Sequence, residues 1–338
     1  MQTLPPSFVL SVEEQPTMAQ ATAPPRPLPR PHGGATDSNP PVPHRRSQAL
    51  SAHVFLAPWL IGMIALTLGP MLTSLYLSFT DYGLFTTPKW VGLANYRYML
   101  EDDRFLASIG VTLKFVLIGA PLKLAAALAV ALLLNRTRRG VGLYRAAFYA
   151  PSLLGASVSV ALVWRSLFAT DGFTDRTLGS LGIHLGGFTD NPDYALYPLI
   201  TLTVWQFGAP MVIFLAGLKQ IPRELYEAAS LDGASRVRTF VSITLPMLSP
   251  VLFFNLVLEI INSFQSFTSA FVISNGSGGP SDSTLLYSLY LYEQAFTNFH
   301  MGYASAMAWV LLIVIALVTA IVFRTSRMWV YYGQEDAS

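Results

Sequence analysis

The sequence predicts an all-α membrane protein with six transmembrane helices, a short helix in a cytoplasmic loop, and both termini in the cytoplasm. The first observation behind this prediction is the composition: of 338 residues, 52% are hydrophobic and only 12% are charged. Soluble domains carry about 25% charged residues, so the charge is too sparse to cover a globule of this size in water. The composition therefore excludes an ordinary water-soluble enzyme.

The second observation is a set of six long apolar stretches. A bilayer core of about 30 Å needs about 20 apolar helical residues. The stretches that reach this length cover residues 53–79, 107–134, 145–168, 194–218, 245–273 and 301–323. Several contain proline or glycine, which membrane-embedded helices tolerate when neighbouring groups satisfy the backbone. We therefore expect one six-helix domain over residues 51–330, followed by a cytoplasmic tail over residues 331–338.

The third observation is the distribution of basic residues, which sets the orientation of a membrane protein. With the N-terminus in the cytoplasm, fourteen of the 21 basic residues lie on the inner side and only four in the outer loops. The inner ones are Arg26, Arg30, Arg45, Arg46, Arg136, Arg138, Arg139, Arg145, Lys219, Arg223, Arg236, Arg238, Arg324 and Arg327. The outer loops collect the acidic residues Asp81, Glu101, Asp102, Asp103, Asp171, Asp175, Asp190, Asp193, Asp282 and Glu293.

Residues 1–50 differ from the rest of the chain. They hold 11 of the 23 prolines and show no apolar periodicity, so they cannot repay the entropy of ordering. We expect a disordered, solvated cytoplasmic tail. A proline-rich ligand of SH3 type is the alternative.

Several functions are excluded by what the sequence lacks. The net charge of +2 is too small for a nucleic-acid partner, and the absence of cysteine removes thiolate metal sites. A P-loop needs Lys followed by Ser or Thr, whereas the four lysines precede Trp90, Phe115, Leu124 and Gln220. There is also no HExxH or GxSxG motif. We expect no catalytic residues, no metal and no cofactor bound by this chain.

The loop between the fourth and fifth stretches, residues 219–246, contains a predicted helix. Pro222 suits its first turn and Gly233 its C-terminal stop. An apolar side is formed by Leu225, Ala228, Ala229 and Leu231. Such a stripe needs a cover, which is either the membrane surface or a partner protein. The residues alone leave both covers open. If the membrane surface is the cover, the helix merely tethers two spans and Glu227 pairs with Arg223.

This loop resembles a known motif. The residues concerned are Glu227, Ala228, Ala229, Gly233, Ile243, Leu245 and Pro246. In this order they are similar to the EAA loop of permease subunits of binding-protein-dependent ABC importers. Segments that resemble the maltose and glycerol-3-phosphate type of carbohydrate permease are Ala57-Pro58, Gly69-Pro70, Ser74–Thr80, Val91–Tyr96, Ala131–Asn135, Gly278–Pro280 and Gly302–Ala306.

The resemblance implies a bacterial inner-membrane subunit whose short helix docks on a cytoplasmic ATPase. It assigns this coupling to Glu227, Ala228, Ala229, Asp232 and Gly233, and it leaves ATP and Mg²⁺ to the partner. The implied partners are a second, homologous permease subunit in a heterodimer and two ATP-binding subunits. An extracytoplasmic solute-binding protein is expected to dock on the acidic outer loops.

Polar residues inside the stretches are costly and indicate function or helix pairing. The fifth stretch carries Asn255, Glu259, Asn262, Ser266 and Ser269 at spacings of 4, 3, 4 and 3, which puts all five on one face of a continuous helix. Bonding between helices is the favoured interpretation for Ser266 and Ser269, and a solute pathway for Glu259 and Asn262. Lys123 in the second stretch has a similar depth, so we expect an ion pair with Glu259. Contact with an anionic group of the solute is the alternative.

The resemblance implies a sugar site on the fifth stretch and on the one before the loop. There, Trp205 would be an aromatic platform and Gln206 an amide for sugar hydroxyls. The predicted pathway residues are Trp205, Gln206, Glu259, Asn262, Ser263 and Ser266.

A second hypothesis is a secondary transporter that uses Glu259 and Lys123 as an ion relay. Such folds tend to contain internal repeats, which are not evident here, and they need no docking helix. A membrane-embedded enzyme would need a catalytic constellation. The resemblance leaves the solute open among disaccharides, oligosaccharides and glycerol phosphates.

Overall fold

A computed structural model describes residues 55–136, 140–155, 157–183 and 186–331. The predicted N-terminal tail, residues 1–50, lies outside this part of the chain, as do residues 332–338.

The described chain is mainly helical. Its helices are α1 (Phe55–Ser78), α2 (Ala94–Glu101), α3 (Asp103–Arg136), α4 (Val141–Leu154), α5 (Val158–Phe168), α6 (Phe173–Ser180), α7 (Leu196–Trp205), α8 (Gly208–Gln220), α9 (Arg223–Leu231), α10 (Arg236–Phe264), α11 (Thr268–Ile273), α12 (Tyr287–Tyr292) and α13 (Met301–Ser326). Two short antiparallel strands, β1 (Thr80–Asp81) and β2 (Lys89–Trp90), follow α1.

In the described part, α1, α3, α10 and α13 are each long and apolar enough to cross a membrane. The number rises to six if each of two bent helix pairs counts as one span, namely α4 with Val158–Ser180 and α7 with α8. The prediction of a helical membrane protein is confirmed by the length and composition of these helices.

The α9 end of the domain is defined by α9 and the adjoining ends of α3 and α10, and the α12 end by α12 and the start of α3.

The third and fourth predicted spans are wrong as continuous helices. Residues 145–168 are divided between α4 and α5, and residues 194–218 between α7 and α8, whose axes differ by 42°. The two breaks pack on each other because glycines leave room. A Cβ on Gly155 would lie 2.2 Å from Cγ of Gln206, and one on Gly208 would lie 2.5 Å from the Phe148 carbonyl oxygen.

The fifth predicted span, residues 245–273, is also divided. α10 begins earlier, at Arg236, and ends at Phe264, while α11 is a separate short helix. Phe264 packs with Val116 and Ile260, whereas the Phe267 ring lies 4.9 Å from that of Tyr292. Residues three apart on one helix share a face, so a continuous helix could not send these two rings to different clusters.

The long helix α3 is the centre of the packing. It contacts α7, α8 and α10, and its first and last turns carry Asp103 and Arg136, which complement the helix dipole. Near the α9 end its buried partners are Phe214 and Leu248. By contrast, the most apolar part of α1 has no buried residue, and Leu66 is 80% exposed. That surface suits lipid or another subunit.

Candidate functional site

α9 is ended by its own sequence. Pro222 is the residue before the helix, and Gly233 after it has φ of +71°. The Gly233 N–H donates to the Ser230 carbonyl at 3.2 Å, and the Ala234 N–H donates to the Ala229 carbonyl at 2.9 Å. This is a Schellman motif, which favours glycine at its left-handed position. A Cβ added at Gly233 would meet no atom within 4 Å, so the left-handed backbone conformation is what favours glycine here.

α9 is attached to the membrane helices at two points. Ile221, just before it, is buried against the α3, α8 and α10 cluster, and the hydroxyls of Tyr226 and Thr244 are 3.1 Å apart. The rest of the helix is largely uncovered, with Leu231 89% exposed. An open cleft of about 750 Å³ separates α9 from the ends of α3 and α10. Its walls include Asn135, Arg136, Tyr226, Ser230, Arg236 and Phe240.

The predicted coupling residues lie together on this exposed surface. Glu227, Ala228, Asp232 and Gly233 are exposed, and Ala229 is half-buried. Arg223 and Glu227 form no ion pair, although both belong to the described chain. The apolar side of α9 is therefore available to a partner, and the pair expected for a simple tether is absent between these described residues.

Lys123 and Glu259 meet between α3 and α10. The Lys123 ammonium lies 2.9 Å from Oε2 and 3.0 Å from Oε1 of Glu259, and both side chains are at most 12% exposed. The Ser263 hydroxyl also donates to Oε1 at 3.4 Å. Because a buried charge is stabilised only when it is paired and hydrogen-bonded, this arrangement favours the ion pair over binding of an anionic solute group by Lys123.

The polar stripe predicted on the fifth span is wrong as a single helical face. α10 ends at Phe264, so Ser266 and Ser269 lie beyond it. On α10 itself Glu259 and Ser263 are buried, while Asn262 is exposed. Asn255 is buried and donates to the Val251 carbonyl of its own helix at 2.9 Å. The structure thus brings Glu259 and Ser263 together and leaves Asn262 on another face.

Trp205 and Gln206 lie at the break between α7 and α8. The Trp205 ring is 5.3 Å from that of Trp164. The Gln206 side-chain amide donates to the Gly155 carbonyl at 3.2 Å, and its backbone carbonyl accepts from the Ser152 hydroxyl at 2.9 Å. Gln206 therefore holds two helix breaks together, a role that its sequence context did not indicate.

Two further motif segments join the ends of α1 and α13. The Asn95 amide donates to the carbonyls of Ser78, the last residue of α1, and Thr80, at 2.9 and 3.0 Å. A Cβ on Gly302 would lie 2.1 Å from the Thr80 carbonyl oxygen. The amide and the glycine are thus required by close backbone packing at the α12 end.

Asp102 is the centre of a buried hydrogen-bond network that sequence analysis missed. Its Oδ1 accepts from the backbone N–H groups of Arg104 and Phe105 at 3.0 and 3.2 Å, which caps α3. Its Oδ2 accepts from the hydroxyls of Tyr290 and Tyr303 at 2.6 and 2.7 Å. Burial, together with the bond to Asp102, raises the pKa of Tyr290, so this hydroxyl remains a donor.

Arg104 neutralises two more acidic residues beside this network. Its guanidinium contacts both oxygens of Asp282, at 2.9 and 3.1 Å, and Oε1 of Glu293 at 2.6 Å. Its partners are 178 and 189 residues away in the sequence, and no local pattern could indicate such pairing. Asp102, Asp282 and Glu293 are therefore engaged internally. Docking of a binding protein on the acidic outer loops stays a prediction, with these three carboxylates already paired within the chain.

These features define a helical membrane protein with a short, exposed helix between two of its membrane-type helices. The chain belongs to the family of binding-protein-dependent transport system inner membrane components, whose family model matches residues 124–328. It is 50% identical over 293 residues to the probable ABC transporter permease protein YesP of Bacillus subtilis (strain 168), covering 86% of this chain and 95% of that protein. It is 31% identical over 290 residues to the lactose transport system permease protein LacF of Rhizobium radiobacter, covering 84% and 96%.

A solved structure shares the fold. A bacterial ABC transporter involved in the import of the acidic polysaccharide alginate has a chain that superposes with a TM-score of 0.72 at 18% identity. The match covers 84% of this chain and 99% of that one. Family membership confirms the prediction of an inner-membrane ABC permease and supports it over an ion-gradient-driven secondary transporter.

Proposed function

We propose that the chain is the permease subunit of an ATP-driven importer for a sugar or sugar-like solute that an extracytoplasmic protein delivers. The observation that carries this proposal is α9, an exposed helix capped by its own sequence within the family-matched region. The lactose permease among the relatives supports a sugar as the solute.

Coupling to ATP hydrolysis would use Glu227, Ala228, Ala229, Asp232 and Gly233. Small residues allow a partner backbone to approach closely, and Glu227 can meet a basic group of the partner. Covering the exposed side chain of Leu231 would contribute about 2 kcal/mol. The chain lacks a P-loop lysine, so ATP and Mg²⁺ would be bound by two partner ATPase subunits.

Motion of α9 would pass to the membrane helices through its two attachments. Tyr226 bonds to Thr244 on α10, and Ile221 is buried against the cluster that includes α3 and α8. α10 carries Glu259 about four turns further along the helix from Thr244. A displacement of α9 would therefore reach the Lys123–Glu259 pair through one continuous helix.

The topology would have six spans, with α4–α6 and α7–α8 as the bent ones and both termini in the cytoplasm. The basic residues of the predicted inner segments support this orientation. The uncovered apolar surface of α1 would face lipid or a second, homologous permease subunit, and we expect a heterodimer.

The solute pathway would pass the membrane-depth groups on α7, α8 and α10. The exposed amide of Asn262 and the half-buried Ser266 are available to sugar hydroxyls, as is Trp205 as a ring platform. Lys123 and Glu259 would neutralise each other and position Ser263 beside this pathway. Gln206 would line the pathway while holding the break between α7 and α8.

The test is uptake by the reconstituted importer: this chain, its second permease subunit, the ATPase pair and the binding protein in liposomes. Radiolabelled lactose, a maltodextrin mixture and glycerol-3-phosphate are supplied outside, with ATP inside. We expect uptake of at least one solute that stops without ATP, even when a proton gradient is imposed. Uptake driven by the gradient alone would contradict the proposal, as would failure to transport any of the three.

A further inference from the structure

A polar pocket of about 370 Å³ lies apart from the groups discussed so far. It is formed by the last turn of α5, the loop before α7 and the turns that follow α11. Its polar side chains include Arg165, Thr189, Asp190, Asn275 and Ser277. The volume lies at the small end of the range of ligand pockets, about 300–1,000 Å³.

Each charged side chain in this pocket makes hydrogen bonds through one polar atom and has another polar atom without a hydrogen-bond partner among the described residues. Arg165 donates through Nη1 to the Val272 carbonyl and to Oδ1 of Asn275. Asp190 accepts from the backbone N–H and the hydroxyl of Thr170 through Oδ2. Among the described residues no bond uses Nε or Nη2 of Arg165, Oδ1 of Asp190 or Nδ2 of Asn275. Arg165 and Asp190 do not pair with each other.

The wall after α11 is preformed. Asn275, Gly276 and Gly278 have φ values of +53°, +77° and +71°, a region that Asn and Gly tolerate best. The Gly278 N–H donates to the Ser274 hydroxyl at 3.1 Å, and the Ser277 hydroxyl donates to the Ser274 carbonyl at 2.7 Å. A ligand would therefore meet polar groups that need little further ordering, which lowers the entropic cost of binding.

A row of aromatic rings connects this pocket with the break between α7 and α8. Phe188, next to the pocket residue Thr189, has its ring 5.6 Å from that of Phe168. Phe168 lies 6.0 Å from Trp164, which lies 5.3 Å from Trp205. All four rings are half-buried rather than sealed in the core. The row leaves partly exposed ring surface between the pocket and Trp205, which suits the apolar face of a ring-shaped solute.

We propose that this pocket is a saccharide subsite, occupied between the binding protein and the membrane-depth groups. The inference rests on the proposed function and adds a site to it. A hydroxyl group both donates and accepts hydrogen bonds. The pocket offers N–H donors on Arg165 and Asn275 and a carboxylate acceptor on Asp190 that have no hydrogen-bond partner among the described residues. A purely anionic ligand would meet the repulsion of Asp190, so the mixed set favours a hydroxyl-rich ring.

The first test is Asp190→Asn in the full reconstituted importer. The asparagine can keep its amide oxygen as the acceptor for Thr170, while its NH2 group replaces the second carboxylate oxygen and turns that acceptor into a donor. Asp193→Asn, an exposed residue of the same loop that does not line the pocket, is the control. We expect uptake of the transported saccharide to fall roughly tenfold for Asp190→Asn only, as for loss of one charged hydrogen bond. Stimulation of ATP hydrolysis by the loaded binding protein should stay unchanged.

The second test uses the absence of cysteine from the chain. Ser277→Cys introduces one thiol at the pocket, and its maleimide labelling in the assembled importer is followed with lactose or the maltodextrin mixture. We expect severalfold slower labelling with the saccharide that is transported. A thiol at Asp193, introduced as Asp193→Cys, should label at the same rate with and without saccharide.

The outcomes separate this inference from the proposed function. Transport of a saccharide without protection of the thiol would overturn the subsite and leave the importer intact. Protection without transport would support the subsite and overturn the proposed function. The absence of both transport and protection would overturn both proposals. If Asp190→Asn lowers ATPase stimulation and uptake together, the pocket is a docking point for the binding protein and the saccharide subsite is wrong.

Discussion

The two ends of the domain satisfy their side chains in opposite ways. At the α12 end, Asp102 accepts four hydrogen bonds and Arg104 neutralises Asp282 and Glu293. At the α9 end, Leu231 is 89% exposed beside an open cleft of about 750 Å³. At the α12 end the carboxylate of Asp102 and the guanidinium of Arg104 find their partners within one chain, whereas most of α9 is left uncovered by the described residues.

This contrast separates two effects of mutation. Side chains in satisfied networks should affect the free energy of unfolding, because their removal leaves buried polar groups without partners. Side chains on α9 should affect coupling and leave folding almost unchanged. The predictions below run from the largest expected loss of unfolding free energy to the smallest.

The largest loss is expected for Lys123→Met, which leaves Glu259 buried without its partner. Removing one partner of a buried ion pair costs about 3–5 kcal/mol. The measurement is thermal unfolding of the purified importer in detergent. Lys114→Met is the matched control, since Lys114 is exposed on the same helix. The double reversal of Lys123→Glu with Glu259→Lys should recover transport. Equal losses for Lys123→Met and the control, or no recovery, would contradict the pair.

A somewhat smaller loss is expected for Asp102→Ala at the α12 end. It removes the cap of α3 and the acceptor of Tyr290 and Tyr303, for a combined cost of about 3 kcal/mol. The adjacent Asp103→Ala is the control, because Asp103 is exposed. Asp102→Asn, which keeps one carbonyl oxygen, should lie between the two. A melting temperature for Asp102→Ala equal to that of Asp103→Ala would show that the hydrogen bonds of Asp102 do not stabilise the fold.

The long apolar stretches and the ends of α9 follow from local sequence. Span length depends on composition over about 20 residues, and Pro222 and Gly233 are local signals of a helix start and stop. The Lys123–Glu259 pair could also be predicted, because charges at similar depth in an apolar medium have few other partners. Each of these inferences uses physics that acts along the chain or along the membrane normal.

The breaks and the α12 network depend on contacts between distant segments. Gly155 and Gly208 resemble other glycines in membrane helices until the partner of each is known. Asp102 meets Tyr290 and Tyr303 across 188 and 201 residues. In the sequence it is one acidic loop residue among several. Tertiary packing decides which acid is buried, and a single sequence contains no local record of that packing.

Gly233→Asp should have a small effect on folding and a large one on coupling. A non-glycine residue at φ of +71° costs about 1 kcal/mol, and an added Cβ meets no atom within 4 Å. The protein should remain in the membrane with a nearly unchanged melting temperature. ATP hydrolysis by the importer should no longer respond to the loaded binding protein. Wild-type uptake by this variant would show that the end of α9 is not a coupling element.

The smallest effect on folding, with a strong effect on assembly, is expected for Leu231→Ser. Leu231 loses almost no contact within the chain because it is 89% exposed, so the free energy of unfolding should change by less than about 0.5 kcal/mol. If the partner ATPase covers this side chain, the affinity for that subunit should fall about thirtyfold, which corresponds to the loss of about 2 kcal/mol from one buried leucine. Glu224→Gln, on an exposed position of the same helix, is the control.

The measurement is titration of the detergent-purified permease pair with the ATPase subunit. A variant that binds as the wild type does would mean that Leu231 faces lipid headgroups or solvent. The contrast between the two ends would then hold for the cleft and the capping motif alone. Weaker binding at unchanged melting temperature would instead locate the partner on the apolar side of α9, since Leu231 is 89% exposed within the described part of the chain.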